Sequence, residues 1–187
     1  MTTKRSVALL SATLIALLPA CGSTGSQTSE TVVTDDSAFN DADVMFAQMM
    51  IPHHEQAIEM SDIALDPTVG ASEQIRELAN QIKAAQDPEI SLMKELLTAW
   101  GKSLTPDGDH SSMMSGMLSA EGLAELGTLT GAEFDAAWIE SMIAHHEGAI
   151  EMAEDVLVDG KNVETLALAK AIISTQQSEI DILRSLL

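Results

Sequence analysis

The chain has no tyrosine, a single cysteine and few aromatic residues of any kind, 3% of its 187 positions. One cysteine, Cys21, rules out a disulfide framework and leaves no thiolate pair to hold a metal. With so few aromatics and yet 45% apolar residues, the core has to be built from Leu, Ile, Ala and Met. Basic residues are scarce as well: 9 Lys and Arg stand against 29 Asp and Glu, a formal charge of −20. Phosphate binding needs a basic face, so nucleic acid is excluded as a partner. An acidic surface of this kind is well solvated and concentrates cations around it.

What is present is a stretch written twice. Met50 to Met60 reads MIPHHEQAIEM and Met142 to Met152 reads MIAHHEGAIEM, differing only at Pro52/Ala144 and Gln56/Gly148, at an offset of 92 residues. An internal repeat of this quality points to a duplicated helix pair. At about 100° per residue, Phe39, Ala42, Phe46, Met49, Met50, His53, Ala57, Met60 and Ala64 share one helix face, with His53 near its centre. Trp138, Met142, His145, Ala149, Met152 and Val156 repeat the stripe around His145. His54 and His146 fall about 100° round on the flank, while Glu55, Glu59, Glu147 and Glu151 point towards solvent.

The beginning of the chain reads as an address. Lys4 and Arg5 precede an apolar run from Val7 to Leu18, followed by Leu18-Pro19-Ala20-Cys21-Gly22. This resembles the leader and lipobox of a bacterial lipoprotein, with residues 1–20 removed and Cys21 lipidated. Cleavage without lipidation and retention as an N-terminal anchor are the alternatives, although the run is short for a bilayer span. Residues 21–37, rich in Ser, Thr, Gly and acid, read as a flexible tether.

Residues 38–187 then form one duplicated domain, with halves 38–100 and 131–187 joined by the connector 101–130. A first helix is expected from Ser37 or Asn40 to Leu65, bent at Pro52. A second is expected from a Ser72 cap to Trp100, with Pro88 a weak point. A short helix follows from Ser119 or Ala120 to Leu126, a long one over about 133–158, and a last one from Asn162 or Val163 to Leu187. The repeat extends into the second helix of each half, where Gln86, Glu89 and Ile90 match Gln176, Glu179 and Ile180 at an offset of 90. Short turns within the halves and a long connector between them predict an all-α, four-helix bundle.

Met50 with His53, and Met142 with His145, sit one turn apart on a single helix face. Thioether and imidazole together suit Cu(I), or the similar Ag(I), and offer little to hard cations. The helical candidate ligands are Met49, Met50, His53, His54, Met60, Met142, His145, His146 and Met152. The connector adds His110, Met113, Met114 and Met117, a Met-rich segment suited to taking up a soft ion and passing it on. Competing with this is the reading of the methionines as core filler. His54 and His146 are expected either just behind the metal ligands or at the rim, their tautomers fixed by Asp43 and Asp135 on the same flank. No Glu-x-x-His occurs, so the carboxylate bridge of di-iron bundles is missing. His-Glu-x-x-His also fails, because Ile58 and Ile150 hold its last position. No carboxylate pair is expected on a buried face, and no nucleophile stands with a base.

The doubled Met-Ile-x-His-His-Glu-x-Ala-Ile-Glu-Met, the Met114-Ser-Gly-Met117 loop and the Ala132-Glu-Phe-Asp135 lead-in resemble the domain-of-unknown-function 305 (DUF305) family. That resemblance implies a ferritin-like helical bundle, secreted or lipid-anchored, in a family that includes periplasmic copper-binding proteins. Ser115 stands where the family loop often has proline. The expectation is a cell-envelope lipoprotein that binds Cu(I) or Ag(I) for buffering, transfer or resistance and is not an enzyme. Its expected partners are the metal ion, other copper-handling proteins and a second copy of the chain, and it meets the membrane only through the lipid. A non-metal structural or interaction module and a divergent ferritin-like metalloenzyme are the alternatives.

Overall fold

The structure, a computed structural model, describes residues 38–108 and 114–187. The expected leader, lipobox cysteine Cys21 and tether lie outside the described residues, as do His110 and Met113 of the connector.

Five helices and no strand are found among the described residues: α1 (Asp41–Leu65), α2 (Glu73–Ala99), α3 (Ala120–Leu126), α4 (Gly131–Asp159) and α5 (Val163–Ser185). Four of the five begin at a side-chain cap. Asn40 and Asp43 form a reciprocal capping box on α1, Ser72 caps α2, Ser119 caps α3, and Asn162 accepts from the amides of Glu164 and Thr165. Pro52 and Pro88 both lie inside unbroken helices, so neither interrupts its element. The turns on either side of each proline are held by burial of Met50 and Ile51 in α1, and of Ile90 in α2. That burial outweighs the local penalty of about 3 kcal/mol.

The core comes in two clusters, and the order in which each helix visits them gives the topology. One cluster takes Ala57 to Ala64 of α1, Ile75 to Ile82 of α2, Phe134 to Met142 of α4 and Leu183 of α5. The other takes Val44 to Ile51 of α1, Ile90 to Leu97 of α2, Ala149 to Val156 of α4 and Leu168 to Ile172 of α5. Hence α1 and α5 run one way, and α2 and α4 the other. The chain leaves α2 at one end and enters α4 at the opposite end, so the connector must travel back along the bundle. On the way, Leu118, Leu123 and Leu129 pack against the first cluster.

Two carboxylates tie the halves together reciprocally. Asp43 of α1 is fully buried and accepts from the amides of Lys161 and Asn162, at the start of α5. Its counterpart in the repeat, Asp135 of α4, accepts from the amide of Ser72 at the start of α2 at 3.1 Å. Each half thus places an anion at a helix N-terminus of the other, where unpaired amides and the helix dipole favour it. These contacts correct the expectation that Asp43 and Asp135 orient His54 and His146. Asp43 lies eleven residues before His54, about 16 Å along the helix axis, so a shared flank does not bring the two side chains together.

Candidate metal centre

Between the two apolar clusters, at the same level in all four long helices, lies a polar layer. His53 and His54 come from α1, Gln86 and Glu89 from α2, His145 and His146 from α4, and Gln176 and Glu179 from α5. His53 and His145 face each other across the α1/α4 seam, their ring centroids 3.8 Å apart and tilted by 41°. Both are fully buried. Burial, with the neighbouring histidines adding to it, pushes the His53 imidazole down to about 3 against an opposing hydrogen bond to the Ser115 backbone. The same causes hold His145 well below its ordinary value, weakly opposed by the nearby His53 backbone. Both rings are therefore neutral at physiological pH, the form in which imidazole binds metal.

The hydrogen bonds decide which nitrogens are available. His53 Nε2 lies 3.1 Å from the Ser115 carbonyl oxygen. A carbonyl only accepts, so in the neutral ring Nε2 carries the hydrogen and Nδ1 is left with its lone pair. That Nδ1 has no partner, and neither nitrogen of His145 has one. His54 Nε2 donates to Glu89 at 2.8 Å and His146 Nε2 to Glu179 at 2.7 Å, again leaving each Nδ1 unpaired.

The flanking histidines are thus not rim residues. Their rings are fully buried, because α2 and α5 cover the flank where a lone α1 or α4 would meet water. Glu89 of α2 and Glu179 of α5 each reach one of these histidines, a role not assigned to them from the sequence. Their signal in the sequence was the matched Gln-x-x-Glu of the two second helices. Those same helices contribute Gln86 and Gln176, each 2% exposed, with neither amide atom paired. Every buried side-chain nitrogen or oxygen without a partner among the described residues belongs to these six histidines and glutamines. Elsewhere the buried polar groups are satisfied, as is usual, so the deficit is local and marks this layer as a place for a guest.

The thioethers divide between the centre and its surroundings. Met50 and Met142 are fully buried one turn before His53 and His145. Met60 is fully buried two turns beyond His53, and its carbonyl accepts from Trp138 Nε1 at 3.0 Å. Met49 and Met152 line a separate groove, and Met114 and Met117 lie half-buried on the connector beside Ser115.

One of the two differences between the copies, Gln56 against Gly148, is explained by this connector. Gln56 clamps it, with its oxygen accepting from the Leu118 amide at 2.8 Å and its nitrogen donating to the Leu118 carbonyl at 2.9 Å. Gly148 makes room for it, since a Cβ there would stand 1.9 Å from the Ser115 oxygen. Gly116, at φ +80°, approaches α4 from the other side, where a Cβ would meet the Ala144 oxygen at 2.0 Å. Ser115 was not singled out as a site residue from the sequence, because it acts through its backbone.

Among the described residues no three His, Cys, Asp or Glu side chains converge to hold an ion, and Glu89 and Glu179 are each engaged with a histidine. The unpartnered donors of this layer are imidazole nitrogens and the amide groups of Gln86 and Gln176, with Met50 and Met142 one helical turn before His53 and His145.

The DUF305 family model matches residues 43–187. The chain belongs to the DUF305 family. A DUF305 protein of Streptomyces coelicolor, classed as secreted, is 32% identical with a TM-score of 0.72, the match covering 78% of this chain and 90% of that one. A DUF305 fragment from Deinococcus radiodurans is 30% identical with a TM-score of 0.71, covering 79% and 95%. CopM in its Cu(I)-bound form is 31% identical with a TM-score of 0.63, covering 76% and 93%. CopM has also been solved with Cu(II) and with Ag bound, at 29% and 30% identity. No curated protein matches the chain significantly.

Proposed function

We propose that this DUF305 protein is an extracytoplasmic carrier or buffer of Cu(I), and of Ag(I), acting in metal transfer or resistance rather than in catalysis. The observation that carries the reading is the confinement of every unpartnered buried polar side-chain atom among the described residues to one layer around two facing, neutral imidazoles. CopM, with its Cu(I)- and Ag-bound forms, supports the choice of ion. The secreted relative and the leader-like N-terminus support a place outside the cytoplasm, with Cys21 as the lipid anchor.

The metal is cargo here, and the chain's part is to hold it dry. The Ser115 carbonyl fixes the tautomer of His53, so that Nδ1 rather than Nε2 is the free donor. Because His53 and His145 are already neutral, no proton has to leave them when an ion binds near pH 7. Met50 and Met142 stand a turn away with soft sulfur, while Glu89 and Glu179 set the orientation of the outer rings. Anaerobic titration with a competing Cu(I) chelator tests the reading. Sub-nanomolar competition that is lost in a His53→Ala/His145→Ala variant is expected. Full competition in that variant, or none in the native chain, would overturn it.

A further inference from the structure

The repeat makes the seam between α1 and α4 nearly symmetric, but its two ends are finished differently. At one end the connector closes it: Leu126 is part of the apolar cluster there, and Leu118 and Leu123 pack against that cluster, as do Ile63 of α1 and Ala137 and Ile143 of α4. At the other end a groove of about 510 Å³ is left open. Met45 and Met49, one turn apart on α1, line it from one side, and Met152 of α4 lines it from the other. Ser115, whose carbonyl holds His53, is also in its lining.

The side chains differ as the cover does. In the repeat, Met45 and Met49 correspond to Ala137 and Ser141 at the closed end. Glu151, Asp155 and Asp159 run along one ridge of α4 at the rim of the groove, all exposed, where the closed end has Glu59, Ile63 and Pro67. No lysine or arginine is among the residues lining the groove. Like charges four residues apart on a helix repel each other, so this ridge costs stability. Three carboxylates along the rim and three methionines in the lining suit a cation better than an apolar segment.

We propose that this groove is a second, separate site for a soft monovalent cation, in which the thioethers of Met45, Met49 and Met152 capture the ion before it reaches the histidine layer. The choice of ion rests on the function proposed above, but the site itself does not depend on the histidines. The carboxylates raise the local cation concentration at the mouth, and the sulfurs select a soft ion from it. The connector at Ser115 then separates the captured ion from His53. On this assignment Met49 and Met152 belong with Met45 rather than with the imidazoles.

The test is an anaerobic Ag(I) titration of the full chain carrying 13C-labelled methionine methyl groups, followed together with the histidine ring signals. The methyls of Met45, Met49 and Met152 are expected to shift together. A Met45→Leu/Met49→Leu/Met152→Leu variant keeps the volumes nearly unchanged and removes the donors. It should bind one Ag(I) fewer while the His53 and His145 signals still respond. A Glu151→Gln/Asp155→Asn/Asp159→Asn variant should capture the ion roughly tenfold more slowly at low salt, with the difference shrinking as salt is added. The proposal is overturned if the three methyls stay in place at saturation, or if the leucine variant keeps its full stoichiometry. Methyl shifts produced only by an apolar peptide or by a second copy of the chain would also overturn it. Movement of the three methyls with silent histidines would support the groove and count against the histidine centre alone.

Discussion

Replacing Gly148 by alanine tests whether the connector is pressed onto the bundle as closely as the structure places it. The new Cβ would stand 1.9 Å from the Ser115 oxygen and 2.5 Å from its carbonyl carbon. Ordinary carbon–oxygen contact is reached near 3.4 Å, so Ser115 must shift by about 1.5 Å. That carbonyl accepts the 3.1 Å hydrogen bond from His53, and the chain three residues on is held by Gln56. The shift therefore breaks the bond and leaves a buried Nε2–H unpaired, at a cost of about 1–3 kcal/mol. Overpacking adds about 1–3 kcal/mol. Against this, alanine is about 1 kcal/mol better than glycine inside a helix. The net loss is about 1–5 kcal/mol, measurable as a lower urea midpoint of the metal-free protein at constant m-value. Gly122→Ala serves as the control, because its Cβ would meet nothing closer than Leu118 Cδ2 at 3.4 Å. That variant should be neutral or more stable. If Gly148→Ala behaves like Gly122→Ala, the connector is not seated against α4 and the tautomer argument for His53 fails with it.

The metal-free protein should lose stability on acidification. His53 takes up its proton at about 3 when folded and near 6.5 when unfolded, and His145 is shifted in the same direction. Between those values the unfolded chain binds more protons, so stability is complete above pH 6.5 and falls towards pH 3, by on the order of 1 kcal/mol per pH unit for His53, with His145 adding in the same direction; a flat urea midpoint from pH 7 to 5 would contradict this. Gln86→Leu/Gln176→Leu removes four unpaired buried polar atoms. It should raise the melting temperature of the metal-free protein, by some 2 kcal/mol or more in free energy, and a lower melting temperature would show that the amides have partners that stabilise the fold. Asp43→Ala should cost more than Asp135→Ala, about 3 kcal/mol against 1, since Asp43 accepts from the backbone of Asn40, Lys161 and Asn162 and Asp135 from Ser72 alone; equal urea midpoints would refute the ranking.

The helices and the central pair of histidines were legible because both follow from periodicity and from the repeat. Asn40, Ser72, Ser119 and Asn162 cap helices within a residue or two of their expected starts. His53 and His145, at the centres of their stripes, meet in the interior. A wheel drawn for one helix cannot show how much of its circumference its neighbours will cover, so for His54 and His146 a place behind the ligands and a place at the rim both stayed open. Nor does a shared angle carry information about distance along the axis, which is why Asp43 and Asp135 were given the wrong partners. Glu89 and Glu179 were visible only as matched letters on helices whose packing had yet to be known. The difference between Gln56 and Gly148 had no explanation in the sequence, because its meaning lies in the connector, which has no counterpart in the repeat.

The reciprocal anchoring of α5 by Asp43 and of α2 by Asp135 has a consequence for how such a chain could arise. One half alone would present an anion with nothing to bind and a helix start with nothing to satisfy it, and each of these fits a second copy of the same half. Such a protomer is self-complementary and would close into a two-fold dimer. Joining the two copies in one gene released them from identity, so that one could evolve a grip on the crossing strand of chain and the other a notch to receive it.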